Sequence, residues 1–306
     1  MATDDAIDAF SDDQLARLIA KTRDGREASG PGIARCIPLT ERYMVKLYRD
    51  SDHFEDVSCA ITKAHALGIR TPTIQRSVPA EDGYIECIQE RVHGSNLMDV
   101  WPDIGISSTL RLAFQLRSMV GRMRTISSPT AGSLGTGICR SIWLEEYYGV
   151  PPHAPTSVIA AIINFWHNVL SFRKEASKTR EQHRETCAGP MSPKDDLVFT
   201  HHDLAPRNII LEKDTGLLCL VDWDEAGYYP RYFEYVGMRN FYIPESWGWF
   251  AKLRWTLFAW IATGWRWYGK ENDILQDVRR KAGRFPAARR FNIKAGVTPS
   301  VKAVDD

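Results

Sequence analysis

The chain has 306 residues, long enough to bury a sizeable core and above the size at which cores usually divide, so two lobes are expected. Its 39 Lys plus Arg against 38 Asp plus Glu leave no general field for nucleic acid or an anionic membrane surface. Cys36, Cys59, Cys87, Cys139, Cys187 and Cys219 form no CxxC pair, which argues against zinc knuckles and a small disulfide scaffold and for reduced thiols in a cytoplasmic protein.

The N-terminus, MATDDAIDAFSDDQ, is acidic and lacks the basic and apolar regions of a signal peptide. Ser11 and Gln14, ahead of Leu15, Leu18 and Ile19, have the spacing of a capping box and predict a short helical extension ending near Gly25. Tyr43 to Tyr48, YMVKLY, is rich in strand formers with a lysine in its middle. The pattern turns helical over Glu55 to Leu67, with Pro72 as its stop, and Gly83 to Val92 reads as another strand. Strand, helix, strand makes residues 1–92 a small α/β lobe carrying the helical extension.

Beyond His93, Leu112, Leu116, Met119, Val120 and Met123 mark one face of a helix starting at Ser107 or Ser108. Residues 156–172 predict a second apolar helix, followed by a charged helix end and loop from Arg173 to Asp196. Asn208 to Leu211 and Leu217 to Asp222 are two short apolar strands joined by KDTG, a hairpin turn. The uncharged apolar run Thr256 to Trp265 is about half the roughly 20 residues that span a bilayer, so no membrane partner is expected.

The stretch FTHHDLAPRNII, residues 199–210, lies on the loop entering that hairpin, and Asp222 lies where the hairpin leaves. The hairpin therefore brings Asp203, Asn208 and Asp222 together. Two carboxylates beside an amide form an oxygen site for a hard divalent cation, and magnesium leads because it takes one or two carboxylates and completes its shell with phosphate oxygens and water. Taken singly, Asp203 would more often be a loop cap and Asn208 a turn residue. The combination carries the assignment.

His201, Asp203, Pro206 and Asn208, then Val221, Asp222, Trp223 and Asp224, then Gly227, Pro230, Glu234 and Tyr235 resemble three consecutive patterns. These are the H-x-D-x-x-P-x-N, I-D-W-E and G-x-x-P-x-x-x-E-Y segments of the aminoglycoside phosphotransferase and choline kinase-like family, most closely its fungal members. The resemblance implies an α+β, two-lobed, protein-kinase-like fold with a small β-rich N-lobe over residues 1–92 and a mostly helical C-lobe over 93–306. It implies transfer of phosphate from ATP, with Mg²⁺, to a hydroxyl of a small molecule. Asp203 would then accept or orient the hydroxyl proton, and Asn208 and Asp222 would hold the metal. Asp224 would assist the metal or brace the loop, and His201 would be a structural brace.

Lys46 resembles the strand lysine that steadies the α and β phosphates, with Glu55 or Asp56 as its acidic partner; on the residues alone it also fits a solvated lysine. Glu90, Arg91 and Val92, in QERVHG, resemble the hinge whose backbone binds adenine just ahead of a glycine, here Gly94. SGPGI, with Gly30 and Gly32, is an incomplete glycine-rich loop. Two positions depart from the family: His202 stands where Gly is common, and Ala205 where a second His is frequent. Both bear on how the acceptor approaches Asp203.

Residues 231–306 hold fourteen Lys plus Arg against seven Asp plus Glu, and six of the ten tryptophans. A basic wall disfavours a polycationic aminoglycoside and also choline, so the acceptor is expected to be apolar, aromatic or anionic. The tryptophans also fit a plain helix core with arginines snorkelling over it. The basic clusters between Lys281 and Lys302 lack the interleaved aromatics of nucleic-acid binding, and no obligate protein partner is evident. Two rival readings keep the fold. One is a scaffold repurposed as an ATP-independent cyclase or isomerase of secondary metabolism, in keeping with the incomplete glycine loop. The other is a non-catalytic binding protein, against which the joint presence of Lys46, Asp203, Asn208 and Asp222 argues.

Overall fold

The computed structural model describes residues 4–27, 35–80, 83–144, 150–174, 196–265 and 268–285. The SGPGI loop, Cys187, Trp267 and most of both the 173–196 loop and the basic tail lie outside the described residues. The five cysteines within them are all free. No helix among the described residues is long and apolar enough to cross a membrane.

Helices α1 (Asp4–Ala9) and α2 (Asp12–Glu27) open the chain. Ser11 N–H donates to Gln14 Oε1 at 2.8 Å and Gln14 N–H to Ser11 Oγ at 3.3 Å, the reciprocal bonds of a capping box. The helix continues past Gly25 to Glu27. Ile7, Leu15 and Ile19 are buried against Ile37, Val45, Val78 and Ile88 of the following sheet. Each such aliphatic burial stabilises by about 1.5–3 kcal/mol, so the extension is an integral cover of one sheet face.

That sheet holds β1 (Cys36–Pro38), β2 (Tyr43–Tyr48), β3 (Ile74–Pro79) and β4 (Ile85–Glu90), all antiparallel, in the order β1-β2-β4-β3. Because side chains alternate across a strand, β2 sends Tyr43 and Val45 to the helical cover and Lys46 and Tyr48 to the opposite face. Helix α3 (Ser51–Ala66) follows β2 and starts earlier than its apolar pattern indicates, since the Asp50 side chain caps it by accepting from His53 N–H at 2.7 Å. Its stop is not Pro72. Gly68, at φ 67°, turns the chain in the left-handed conformation that glycine supplies at helix ends, and its N–H donates to His65 O at 2.8 Å.

The chain crosses at residues 91–93 into β5 (Gly94–Asn96), α4 (Leu97–Val100), a 3₁₀ turn (Trp101–Asp103) and α5 (Ile106–Met123). After β6 (Ser127–Ser128), β7 (Thr130–Ala131) and β8 (Ala154–Pro155) comes α6 (Thr156–Lys174). Then β9 (Leu197–Thr200) leads to the expected hairpin of β10 (Ile209–Glu212) and β11 (Leu218–Leu220), and on to β12 (Gly227–Pro230). Helices α7 (Tyr232–Arg239), α8 (Trp249–Ala262) and α9 (Gly269–Arg284) complete the described chain. Small sheets β11-β10-β5 and β12-β9-β6 hold the loop after β9 and the end of the hairpin against the helices.

The tryptophans divide. Trp101, Trp247 and Trp255 are fully buried, with Trp101 stacked on Trp247 and edge-on to Trp255, whereas Trp249 is 76% exposed and Trp265 42%. Arg254 does not snorkel: it is buried, lies over the Trp101 ring, and donates to Trp101 O at 2.8 Å and Pro102 O at 3.2 Å, tying α8 to the 3₁₀ turn.

Candidate active site

The loop after β9 is held from beneath by an acid to which the sequence pattern gives no role. Glu234, on α7, is buried and accepts the backbone N–H of His201 at 2.9 Å and of His202 at 3.1 Å. Burial pushes its carboxyl up to about 7, against the pull of Arg124 and the two loop N–H groups. Its place inside the matched G-x-x-P-x-x-x-E-Y segment was the available signal.

His201 is buried, and burial lowers it to about 4, so its ring is neutral near pH 7. Its Nε2 donates to Val221 O at 3.0 Å and its Nδ1 accepts from Asp203 N–H at 3.4 Å. One ring thus links the loop to the strand exit that carries Asp222. His202 has φ 71°, a left-handed conformation in which a Cβ is strained, which gives a physical reason for the glycine common at this position. The strain is offset by a buried ring stacked on Tyr229 at 4.4 Å between centroids, with Nε2 2.5 Å from Ser141 Oγ.

Asp203 Oδ2 accepts from Arg207 Nη2 at 2.6 Å and from Asn208 Nδ2 at 2.7 Å, which leaves Oδ1. Burial raises its carboxyl above the usual range, outweighing Arg207. Asn208 Nδ2 also donates to Asp203 O at 2.9 Å, so the amide faces Asp203 with its nitrogen and leaves its Oδ1 for another partner.

Lys46 is 6% exposed, and its ammonium sits 2.5 Å from Asp222 Oδ1 and 2.5 Å from Asp224 Oδ1. Burial works against its charge, but Tyr48, Asp224 and Asp222 more than offset this and hold it above its ordinary value. The two acids share that one cation. Burial raises both; Lys46 overcomes it at Asp222, which ends below the usual range, while Asp224 stays above it, with the Asp222 charge adding to the burial. Asp222 itself has φ 67°, so the residue is held in a strained backbone state.

The expected pairing of Lys46 with Glu55 or Asp56 is not formed. Glu55 is exposed. Asp56 is buried and accepts from Arg140 Nε at 2.7 Å, Thr136 N–H at 2.8 Å and Thr136 Oγ1 at 2.9 Å, which fastens α3 to the 133–141 loop. The residue of α3 that reaches the lysine's cluster is His53, with Nε2 3.9 Å from Asp224 Oδ2. At the hinge, the Glu90 carboxylate is taken by Arg70 at 2.5 and 3.0 Å. Glu90 N–H donates to Thr73 O at 2.9 Å and Arg91 N–H to Arg42 O at 2.8 Å. Among the described residues, only Val92 of the three has a backbone N–H without such a backbone partner.

No group of three or more His, Cys, Asp or Glu among the described residues is arranged to hold a metal. The donors here are Asn208 Oδ1 and the Asp222 and Asp224 carboxylates, an all-oxygen set. It fits an ion that takes two carboxylates from protein and completes its shell with phosphate and water. The ammonium drawn to 2.5 Å from both acids shows that the pair attracts a cation. Beside Asp203 opens a cavity of about 460 Å³ that includes His202, Arg207, Glu225, Arg239 and Arg279 in its wall. A larger one, about 660 Å³, lies around His167, Tyr235 and Asp273 and contains none of the residues above except Arg239.

Residues 40–276 match the sequence model of the phosphotransferase enzyme family APH. A search of curated proteins finds no match. Among solved structures, the chain is similar to a GDP complex of a point mutant of aminoglycoside 2'-phosphotransferase-IIIa, at 15% identity and TM-score 0.50, over 92% of this chain and 93% of that one. It is also similar to the GDP and kanamycin complex of APH(2")-IIia, at 13% identity and TM-score 0.50, over 91% and 92%. The likeness is one of fold, the two-lobed protein-kinase-like arrangement of a small sheet-bearing lobe and a helical one.

Proposed function

Because the chain belongs to the phosphotransferase enzyme family, we propose that it transfers the γ-phosphoryl group of ATP to a hydroxyl of a small molecule. One observation supports this above the rest: Lys46 of the sheet meets Asp222 and Asp224 of the hairpin exit, while His201 joins that exit to Asp203.

On this reading, Asn208, Asp222 and Asp224 would hold Mg²⁺, which when bound offsets the charge that develops on the phosphoryl group. Lys46, already charged and drawn into the cleft, would steady the nucleotide phosphates. The segment Glu90, Arg91 and Val92 would border the base, with the Val92 N–H as its donor. Asp203, fixed through Oδ2 by Arg207 and Asn208, would offer Oδ1 to the acceptor hydroxyl and take its proton as the new O–P bond forms and ADP leaves. Positioning and fixed charge supply most of the rate in such chemistry. The five free thiols among the described residues fit the reducing cytoplasm, where ATP is at hand. The acceptor on this reading is apolar, aromatic or anionic and not a polycation.

The test is ADP release from Mg-ATP over a panel of alcohols. Asp203→Asn is expected to lower kcat by about 10²–10⁴ while Mg-ATP still binds, the range for a lost general base. Unchanged turnover would remove Asp203 from the mechanism, and turnover with GTP alone would replace the donor.

A further inference from the structure

The cavity beside Asp203, about 460 Å³, lies within the range of about 300–1,000 Å³ typical of small-molecule sites. Its wall carries three guanidinium groups, Arg207, Arg239 and Arg279, against two carboxylates, Asp203 and Glu225. Arg207 is already matched by Asp203 at 2.6 Å. Arg239 donates to the neutral hydroxyl of Thr256, and Arg279 lies over the Trp143 ring with 5.6 Å to its centroid. Among the described residues neither of these two is paired with a carboxylate.

The fold puts both on the acceptor side of Asp203. Helix α7 passes so near the loop that a Cβ on Gly237 would stand 2.5 Å from His202 O, and Arg239 follows two residues later on that helix. Arg279 comes from α9, which packs on α7. Two guanidinium groups at one cavity wall repel a cationic ligand and offer charge-assisted, forked hydrogen bonds to a planar or tetrahedral anion. His202, where the family commonly has glycine, also borders this cavity, with its ring buried on Tyr229.

We infer that the acceptor carries an anionic group, a carboxylate or a phosphate, bound by Arg239 and Arg279 while its hydroxyl meets Asp203; this rests on the phosphotransferase reading above. A hydroxy acid and a phosphorylated alcohol share that chemistry.

The test uses the full chain with Mg-ATP and measures ADP release over matched pairs. Hydroxy acids are compared with their methyl esters, phosphorylated alcohols with the free alcohols, and kanamycin stands for polycations. The anionic members are expected to turn over about tenfold or more better than their neutral partners, the worth of a charged hydrogen bond. The paired arms tell carboxylate from phosphate. The double variant Arg239→Ala, Arg279→Ala is expected to raise KM for the best anionic acceptor about tenfold or more with a smaller change in kcat, as loss of uniform binding does. Arg239→Lys with Arg279→Lys is expected to recover part of it. The proposal is overturned if neutral or polycationic acceptors do as well, if the double variant leaves KM unchanged, or if every anionic member is silent in a protein that Mg-ATP stabilises. A protein that Mg-ATP does not stabilise fails earlier, before any acceptor is added, and the phosphotransferase reading then falls along with this inference.

Discussion

His202 holds φ 71° at a cost of about 1–2 kcal/mol for a residue with a Cβ, and its buried ring returns more than that. His202→Gly removes strain and ring together, so a net loss of about 1–2 kcal/mol at pH 7 is expected from denaturant unfolding. The pH dependence has a definite sign. Burial lowers His201 to about 4 and His202 to about 3, whereas an unfolded histidine takes its proton near pH 6.5. Below that pH the unfolded chain binds more protons, so this stability is complete above about 6.5 and is lost as pH falls toward 4, about 2 kcal/mol per histidine by pH 5. Glu234, raised to about 7, works in the opposite sense and is common to both proteins. Between pH 7 and 5, wild type should therefore lose about 2 kcal/mol more than His202→Gly; equal losses would contradict the burial assignment. At this scale the acids and amide of the site were legible because short spacings fix them on one hairpin. The partners of Lys46 and Asp56 were not. Lys46 meets an acid 176 residues away, and Asp56 meets an arginine 84 residues away, which no local pattern encodes.

Where β5 runs beside β10, a Cβ on Gly94 would stand 2.3 Å from Leu211 O and 2.8 Å from Ile210 Cγ2. The nearest obstacle is backbone and cannot swing away, so Gly94 is required by close approach. Gly94→Ala should separate β5 from the hairpin and cost about 1–3 kcal/mol, the range for overpacking, read as a lowered unfolding midpoint. An unchanged midpoint would mean that the two strands are not held at this spacing. The resemblance placed a glycine here without its reason; the strand pairing supplies it. Helices with an apolar stripe, such as α5, were readable from their period, but β3 was not. In IQRSVP only Val78 is buried, and an edge strand with one buried side chain presents no alternation to read. The end of α3 was read within a residue, at Leu67 against Ala66, but its cause was not: Pro72 is visible as a helix breaker, while the turn at Gly68 is set by backbone geometry.

At the scale of the molecule, the near-zero net charge conceals a separation that only folding reveals: one carboxylate pair gathered around Lys46, and two arginines without carboxylate partners among the described residues at the cavity beyond Asp203. The order of motifs made the two-lobed architecture legible, since sheet, crossing segment and hairpin follow one another along the chain. The sheet's helical cover was legible as a helix from its capping box, but its packing depends on which side chains of β1 to β4 face it. Nucleotide binding between the lobes is the claim on which the rest depends, and thermal unfolding with and without Mg-ATP tests it most directly. The variant to run beside it is Asp222→Asn, because asparagine tolerates the left-handed backbone at that position. At about 100 times its dissociation constant, Mg-ATP should add about 2.7 kcal/mol to wild-type stability, and the variant, stable without nucleotide, should lose that gain. No gain in wild type, or the same gain in both proteins, would contradict the account.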